Sequence, residues 1–424
     1  MKKYINRTIE ETVIRLSRSF PVVMITGARQ VGKTTLLYHI AGKLGKDIKR
    51  VSLDNISDRT LALEDPKLFL ETYPSPVIID EFQYAPDLLS YIKIEVDDKR
   101  LHELDGGEPS DGMFFLTGSQ RFEAMEQISE SLAGRVAIID MYGFSNKELN
   151  DTKTAKQNPF IPEIERLRKA KNSEKNMSMK KVFERIFKGS FPEMFTNENL
   201  SRDAFFENYI KTYIEKDIRK LINIKDEVKF MKFMVSVAAR TGQELNLSEI
   251  SNDTDISNPT ASNWLSILVN TGLVVLLQPF SKNIIKRVVK SPKLYFMDTG
   301  LASYLTKYPT PDILEASSFS GAIFETFVVS EIIKSYANNG LDPCRFISYY
   351  RDNNKNEIDL VIENNNTLYP IEIKKSKSPG KNAAKSFQVL KDSKMETGNG
   401  TVLCMIDEIF PLARENFCVP IRYI

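Results

Sequence analysis

The run GARQVGKTT, Gly27 to Thr35, set between PVVMIT and LLYHIAGKL, constrains the fold more than any other part of the chain. Two glycines followed by a lysine and a threonine let backbone N–H groups curl around phosphate oxygens. They also bring an ammonium to the β/γ-phosphates and a hydroxyl to Mg2+. Val22, Val23, Met24 and Ile25 read as a buried parallel strand, and the chain from Leu36 reads as the helix whose N-terminus faces the phosphates. Gly27, Ala28, Arg29, Gln30, Val31, Gly32, Lys33, Thr34 and Thr35 are therefore the expected nucleotide-binding residues, with ATP and Mg2+ as ligands. A strand, loop and helix in this order predict an α/β domain on a parallel sheet.

Two later runs extend that site. VIIDE, Val77 to Glu81, is a short apolar strand ending in two acids, with Asp80 placed to hold the Mg2+ shell beside Thr34 and Glu81 placed to polarise the attacking water. Hydrolysis, and not binding alone, is the expectation. FFLTGSQ ends another buried strand in small polar residues, where Thr117 or Ser119 could sense the γ-phosphate. SLAGR supplies Arg135 as an arginine finger or sensor, acting in cis or in trans. Upstream, Thr8 to Glu11 can form a capping box, and Ile9, Val13 and Leu16 share the face of a helix that docks on this domain.

Composition bounds the rest. A chain of 424 residues is too long for one compact core, so two to four domains are expected. The formal net charge is only +2, so any basic surface must be local. Three scattered cysteines give neither a disulfide framework nor a zinc site, and two histidines leave metal binding to oxygen ligands. The start MKKYINRTIEE lacks the apolar core of a signal peptide, and no apolar run approaches membrane-spanning length, so a cytoplasmic protein with no membrane partner is expected.

From residue 146 to 181 the chain is polar and lysine-rich, which reads as a linker or solvated arm between an ATPase domain at 1–145 and a helical domain at 182–310. In FFENYIKTYIEKDIRKLINI, Phe205, Phe206, Tyr209 and Tyr213 form a stripe expected in the core. KFMKFMVSVAARTG, LNLSEISNDTDI and SNPTASNWLSILVNTG predict three helices, and LVVLLQPF with KLYFMD predicts a hairpin. Three helices and a hairpin describe a winged helix, with Thr260 to Val269 in the major groove of DNA and Lys282, Lys286, Arg287, Lys290 and Lys293 on a phosphate-contacting wing. The bland alternative makes it a protein-docking domain with Trp264 and Leu265 in its core.

At 311–424, GAIFETFVVSEIIKSYANN reads as a helix with Glu325 near its start, and YYRDNNKNEIDLVIE and TLYPIEIKKSK read as two strands. Asp359 stands among apolar residues, while Glu372 and Lys374 alternate with Ile371 and Ile373. An aspartate followed by Glu-x-Lys is the metal-binding signature of restriction-endonuclease-like folds. Asp359 and Glu372, with Glu325 helping, would share Mg2+ or Mn2+, and Lys374 would position a water or neutralise charge. Gln388, on an expected helix, could orient the site.

Taken together, GARQVGKTT, VIIDE, LTGSQ, SLAGR, GSFPE, YFMDTGL, GAIFE, NEIDLVIE and YPIEIKKSK resemble the prokaryotic AAA-type ATPases that carry a C-terminal domain of uncharacterised function. The resemblance implies a P-loop α/β domain, a winged-helix-like middle and a small α/β endonuclease-like end. Lys33, Thr34, Asp80 and Glu81 match the family's nucleotide site, and Glu325, Asp359, Glu372 and Lys374 match its nuclease-like site, although Ile358 stands where the strict nuclease signature has proline. Two functions follow. One is an ATPase coupled to a DNA-binding and DNA-cleaving module. The other is a nucleotide-dependent switch whose C-terminal domains dock protein partners and cut nothing. A homo-oligomer is compatible with either.

Overall fold

The protein is described by a computed structural model covering residues 4–44, 47–118, 131–150, 157–169, 177–213, 227–281, 291–393 and 395–424. Its first layer is a parallel sheet of five strands: β1 (Val22–Thr26), β2 (Lys49–Ser52), β3 (Val77–Asp80), β4 (Phe114–Thr117) and β5 (Val136–Asp140), in spatial order β2-β3-β4-β1-β5. Every residue of β1, β3 and β4 is buried, as strands covered by helices on both faces require. Parallel pairing aligns the strand ends, so the loop after β1, the acids after β3 and Thr117 at the end of β4 open on one edge.

Helix α1 (Ile9–Leu16) docks through Ile9 and Val13, both fully buried. The expected capping box does not form, because Thr8 is helical and its side chain caps nothing. Buried Glu148 takes over instead, accepting from the backbone N–H of Thr8 at 2.8 Å and of Ser145 at 2.8 Å. Nor is the polar stretch after Phe144 a solvated arm where it is described. Phe160, Ile164 and Leu167 are buried, and Phe160 bonds Ser335 Oγ at 3.0 Å and the Tyr336 hydroxyl at 2.9 Å. Few apolar residues suffice because the helix they meet is buried nearly all round and offers Ser335 and Tyr336 as hydrogen-bond partners.

The middle of the chain has helices Glu227–Ala239, Leu247–Thr254 and Asn258–Asn270, then a small antiparallel sheet of β6 (Gln243–Glu244), β7 (Val274–Leu277) and β8 (Lys293–Phe296) in order β6-β8-β7. Trp264 packs edge-on against Phe230 and Phe233, and Phe205, Phe206 and Tyr209 are buried, so these aromatics are core. Asp298 explains two of the motifs. Its carboxylate accepts from Ser190 N at 2.6 Å, Ser190 Oγ at 2.7 Å and Leu301 N at 2.7 Å, tying GSFPE to YFMDTGL while capping the helix Thr299–Leu305.

The C-terminal part is a mixed sheet of β9 (Ile347–Arg351), β10 (Glu357–Asn364), β11 (Thr367–Lys374), β12 (Glu396–Thr397), β13 (Gly400–Cys404), β14 (Phe410–Ala413) and β15 (Asn416–Pro420). Helix Ser320–Ala337 packs on β8 and β11 and is buried along most of its length. One continuous apolar cluster runs from Ile9 and Val13 through Trp264 and Phe327 to Ile424, so the three parts share a core. Among the described residues no helix is long and apolar enough to cross a membrane.

Candidate functional sites

The loop after β1 turns where only glycine fits. Gly27 has φ +136°, and a Cβ there would fall 2.1 Å from the carbonyl oxygen of Met141; Gly32 is left-handed at φ +95°. Helix α2 (Lys33–Ala41) starts directly behind. The Lys33 ammonium lies over the loop, bonded to the carbonyls of Gly27 at 2.9 Å and Ala28 at 2.8 Å. Thr34 Oγ1 meets Asp80 Oδ1 at 2.9 Å, and Thr117 Oγ1 donates to the same carboxylate. Glu81 follows in the left-handed region at φ 55°, with Gln83 donating to its carboxylate. Burial pushes the Glu81 carboxyl above its ordinary range; the Gln83 bond and the Lys33 charge oppose that. Lys33, Thr34, Asp80 and Glu81 thus come together, with Thr117 joining them, while Gln30 and Thr35 are exposed at the rim. Ser119 lies outside the described residues.

The structure moves Arg135 elsewhere. It precedes β5 at the end where Val22 begins β1, the opposite edge from the loop, and its guanidinium clasps Asp97 at 2.6 and 2.9 Å. A sensor acting within the same chain is therefore excluded by position, because the length of β1 separates the two edges.

Sequence reasoning missed Arg7. Almost fully buried, it donates to Val31 O in the loop at 2.9 Å, to Tyr142 O at 2.7 Å and to Glu148 at 3.0 Å. Nothing local marks it: the partners lie far along the chain, and an arginine near an N-terminus reads as solvated.

A second cluster forms where β8, β10, β11 and helix Ser320–Ala337 meet. Pairing of β10 with β11 ends at Leu360 and Ile371; beyond it the Asp359 carboxylate accepts from Ile373 N at 2.8 Å, a bond the ladder would otherwise make. Glu372 bonds Lys374 at 2.5 Å, and Glu325 accepts from Tyr295 at 2.7 Å. A second cation among them is Lys293, only 2% exposed, at 2.6 Å from Glu357, 3.3 Å from Glu325 and 3.9 Å from Asp359. Lys293 thus faces inward and is not on a wing; Lys282, Lys286, Arg287 and Lys290 lie outside the described residues. Burial, then the charge of Asp359, pushes Glu325 and Glu372 up to about 7. Burial alone would lower Lys293, but Glu325, Asp359 and Glu357 hold it above the ordinary lysine range.

So Glu325, Asp359, Glu372 and Lys374 share one neighbourhood as expected. Among the described residues, however, no group of three or more His, Cys, Asp or Glu side chains is arranged to hold a metal ion. Gln388 is exposed, in a 3-10 segment and not an α-helix. Beside the cluster opens a polar cleft of about 880 Å3 lined by Glu244, Asn246, Glu249, Lys293, Arg351 and Glu357.

The AAA domain family matches residues 19–150. Two domains of unknown function match further on, one (DUF8612) at residues 179–312 and one (DUF4143) at residues 320–424. Uncharacterized proteins of Mycobacterium bovis and Mycobacterium tuberculosis are each 28% identical over 376 residues, covering 87% of this chain and 74% of theirs. Among solved structures, a Walker-type ATPase of Pyrococcus abyssi aligns with 71% of this chain and 96% of its own at TM-score 0.43 and 13% identity. The RuvB Holliday junction branch migration motor of Thermotoga maritima aligns with 63% and 88% at TM-score 0.30 and 16% identity. The first part of the chain is an AAA-type P-loop ATPase domain, a fold that implies ATP as its ligand, and α/β elements on a mixed sheet end the chain.

Proposed function

We propose that the protein is an ATP-hydrolysing switch whose nucleotide state is passed to a winged-helix-like DNA-binding part and to an endonuclease-like end. The observation that carries this reading is the contact between Gly272 and the P-loop. A Cβ on Gly272 would lie 3.4 Å from Ala28 N, so the turn ending helix Asn258–Asn270 rests on the loop that takes the phosphates. Lys33 and the loop N–H groups would hold the phosphates, and Thr34 and Asp80, already 2.9 Å apart, suit a Mg2+ shell that neutralises phosphate charge. Glu81 would orient the attacking water and accept its proton, a role its raised pKa serves.

Three helices followed by a hairpin support the winged-helix reading, and the gathering of Asp359, Glu372 and Lys374 supports the endonuclease-like one. The residues of that cluster, as arranged around Lys293, do not fit a bound divalent ion, so no cleavage step is assigned. One observation favours the docking alternative. Helix Asn258–Asn270 exposes Ser262, Asn263 and Ser266 and contains no basic residue, so phosphate contacts would fall to Lys282, Lys286, Arg287 and Lys290. The deciding experiment measures ATPase rate with and without duplex and single-stranded DNA and reads DNA products from the same tubes. DNA-stimulated hydrolysis lost in K286A/R287A supports the DNA reading. No DNA binding by the intact chain at low salt overturns it in favour of docking.

A further inference from the structure

We propose that Lys293 is the resident cation of the C-terminal acid cluster, so that a divalent ion enters only when β8 withdraws its ammonium. The inference rests on reading that cluster as an endonuclease-like site, but it concerns what occupies the site and not what the site cuts.

The geometry is that of an internal counter-ion. Lys293 comes from β8 in the middle of the chain, whereas Glu357, Asp359 and Glu372 come from β10 and β11 and Glu325 from the helix between. Its ammonium reaches three carboxylates within 4 Å, and the residue is only 2% exposed. Charge accounting agrees. Four carboxylates face two lysines, with Arg351 adding a contact to Glu357 at 3.6 Å. A hard divalent ion needs several carboxylate oxygens free at short range, and here most are committed: to Lys293, to Tyr295, to Ile373 N and to Lys374. The exception is Glu372 Oε2, which is buried with no hydrogen-bond partner, an oxygen left over for a cation that is not yet in place. The Lys293 ammonium, already set against Glu325, Glu357 and Asp359, repels such an ion from their oxygens, so cation and lysine exclude each other.

The exclusion has a structural consequence. Glu244, on β6 beside β8, bonds Tyr349 at 3.1 Å and Arg351 at 3.0 Å on β9, so β8 and the cluster are held together along a seam that also walls the polar cleft. Movement of the middle part away from the C-terminal sheet would open the seam and remove the ammonium at once. Occupancy by metal would then report the relative placement of two parts of the chain.

The test titrates Mn2+ into the nucleotide-free full-length chain by calorimetry and electron paramagnetic resonance, in wild type, K293M, D359N and K293M/D359N. The expected result is no Mn2+ site in wild type that D359N removes. In K293M, a Mn2+ site should appear, and it should be lost in the double variant. A wild-type site that D359N abolishes would overturn the proposal, and so would a folded K293M, checked by its thermal melt, that gains no site. Should K293M not fold, K293Q takes its place, and the wild-type titration needs neither. Mn2+ binding by K293M without DNA cleavage sustains the inference while removing the nuclease reading, so the two fail separately.

Discussion

The guanidinium of Arg7 holds the carbonyl of Val31 at 2.9 Å, so the P-loop is braced from behind by a residue that precedes the first helix. The same group holds Tyr142 and the carboxylate of Glu148, a side chain with no exposed surface. Removing one partner of a buried pair strands the other, so R7A should lose about 3–5 kcal/mol of unfolding free energy. R7K keeps the charge without the planar fork and should fall between. Denaturant unfolding with and without ATP measures this, and an R7K protein as stable as wild type would show that charge alone suffices.

Lys33 and Glu81 should fail in different ways. Lys33→Ala removes the ammonium that lies over the loop at Gly27 and Ala28 and should abolish ATP binding. Glu81→Gln keeps size and the left-handed turn, and should bind normally while hydrolysing about 10²–10⁴-fold more slowly. Fluorescent-nucleotide binding beside phosphate release separates the two; equal loss of binding in both variants would remove Glu81 from the chemistry.

Arg135 makes a half-exposed pair with Asp97, on the sheet edge away from the nucleotide loop. Such pairs contribute about 0.2–1 kcal/mol. Arg135→Ala should therefore melt close to wild type and leave ATPase per chain unchanged at low protein concentration. A rate that falls in the variant only at concentrations where chains associate would identify Arg135 as a finger supplied in trans.

The P-loop was legible because its chemistry is local: glycines, lysine and threonine are fixed by spacing, and parallel pairing brings Asp80 and Thr117 to the same edge. Asp359, Glu372 and Lys374 were legible for a similar reason, as polar residues at odd positions in apolar strands. Arg7, Glu148 and Lys293 were not. Each is defined by partners far along the chain, and composition pointed the wrong way, since a lysine beside basic neighbours reads as a wing and a polar stretch reads as solvent-facing. Phe160 and Leu167 were misjudged because a segment of few apolar residues still packs when its partner helix is buried nearly all round and bonds its backbone through Ser335 and Tyr336.

Glu10 ties α1 to the turn after α2 through Lys43 at 2.5 Å and accepts from the backbone N–H of Arg7 at 2.9 Å. Burial alone would raise its carboxyl, but the bonds from Arg7, Lys43 and Tyr4 outweigh it, and the pKa lies below 4.5. A depressed acid contributes stability that is complete above the unfolded value and is lost as pH falls through the folded one. Glu10→Gln should therefore cost about 1 kcal/mol at pH 7. Its deficit against wild type should shrink as pH drops below about 4.5. A deficit unchanged from pH 7 to pH 3 would mean that the charge of Glu10 contributes nothing.

Gly272 tests whether the middle of the chain senses the nucleotide. It sits at φ +72° with Ala28 N 3.4 Å from where a Cβ would be, whereas Gly106 sits at φ +86° with nothing within 4 Å. Alanine at either position pays the left-handed strain of about 1–2 kcal/mol. Only at Gly272 does the added methyl come into van der Waals contact with the P-loop backbone, so that any shift relieving the strained turn is passed to a loop whose N–H groups must converge on phosphate. Gly272→Ala should weaken ATP binding several-fold, while Gly106→Ala loses a similar amount of stability with ATP binding intact. Thermal melts and nucleotide titrations on the two variants give both numbers. ATP binding unchanged in a folded Gly272→Ala protein would break the proposed link between the P-loop and helix Asn258–Asn270, because the contact would then be packing without consequence for the nucleotide.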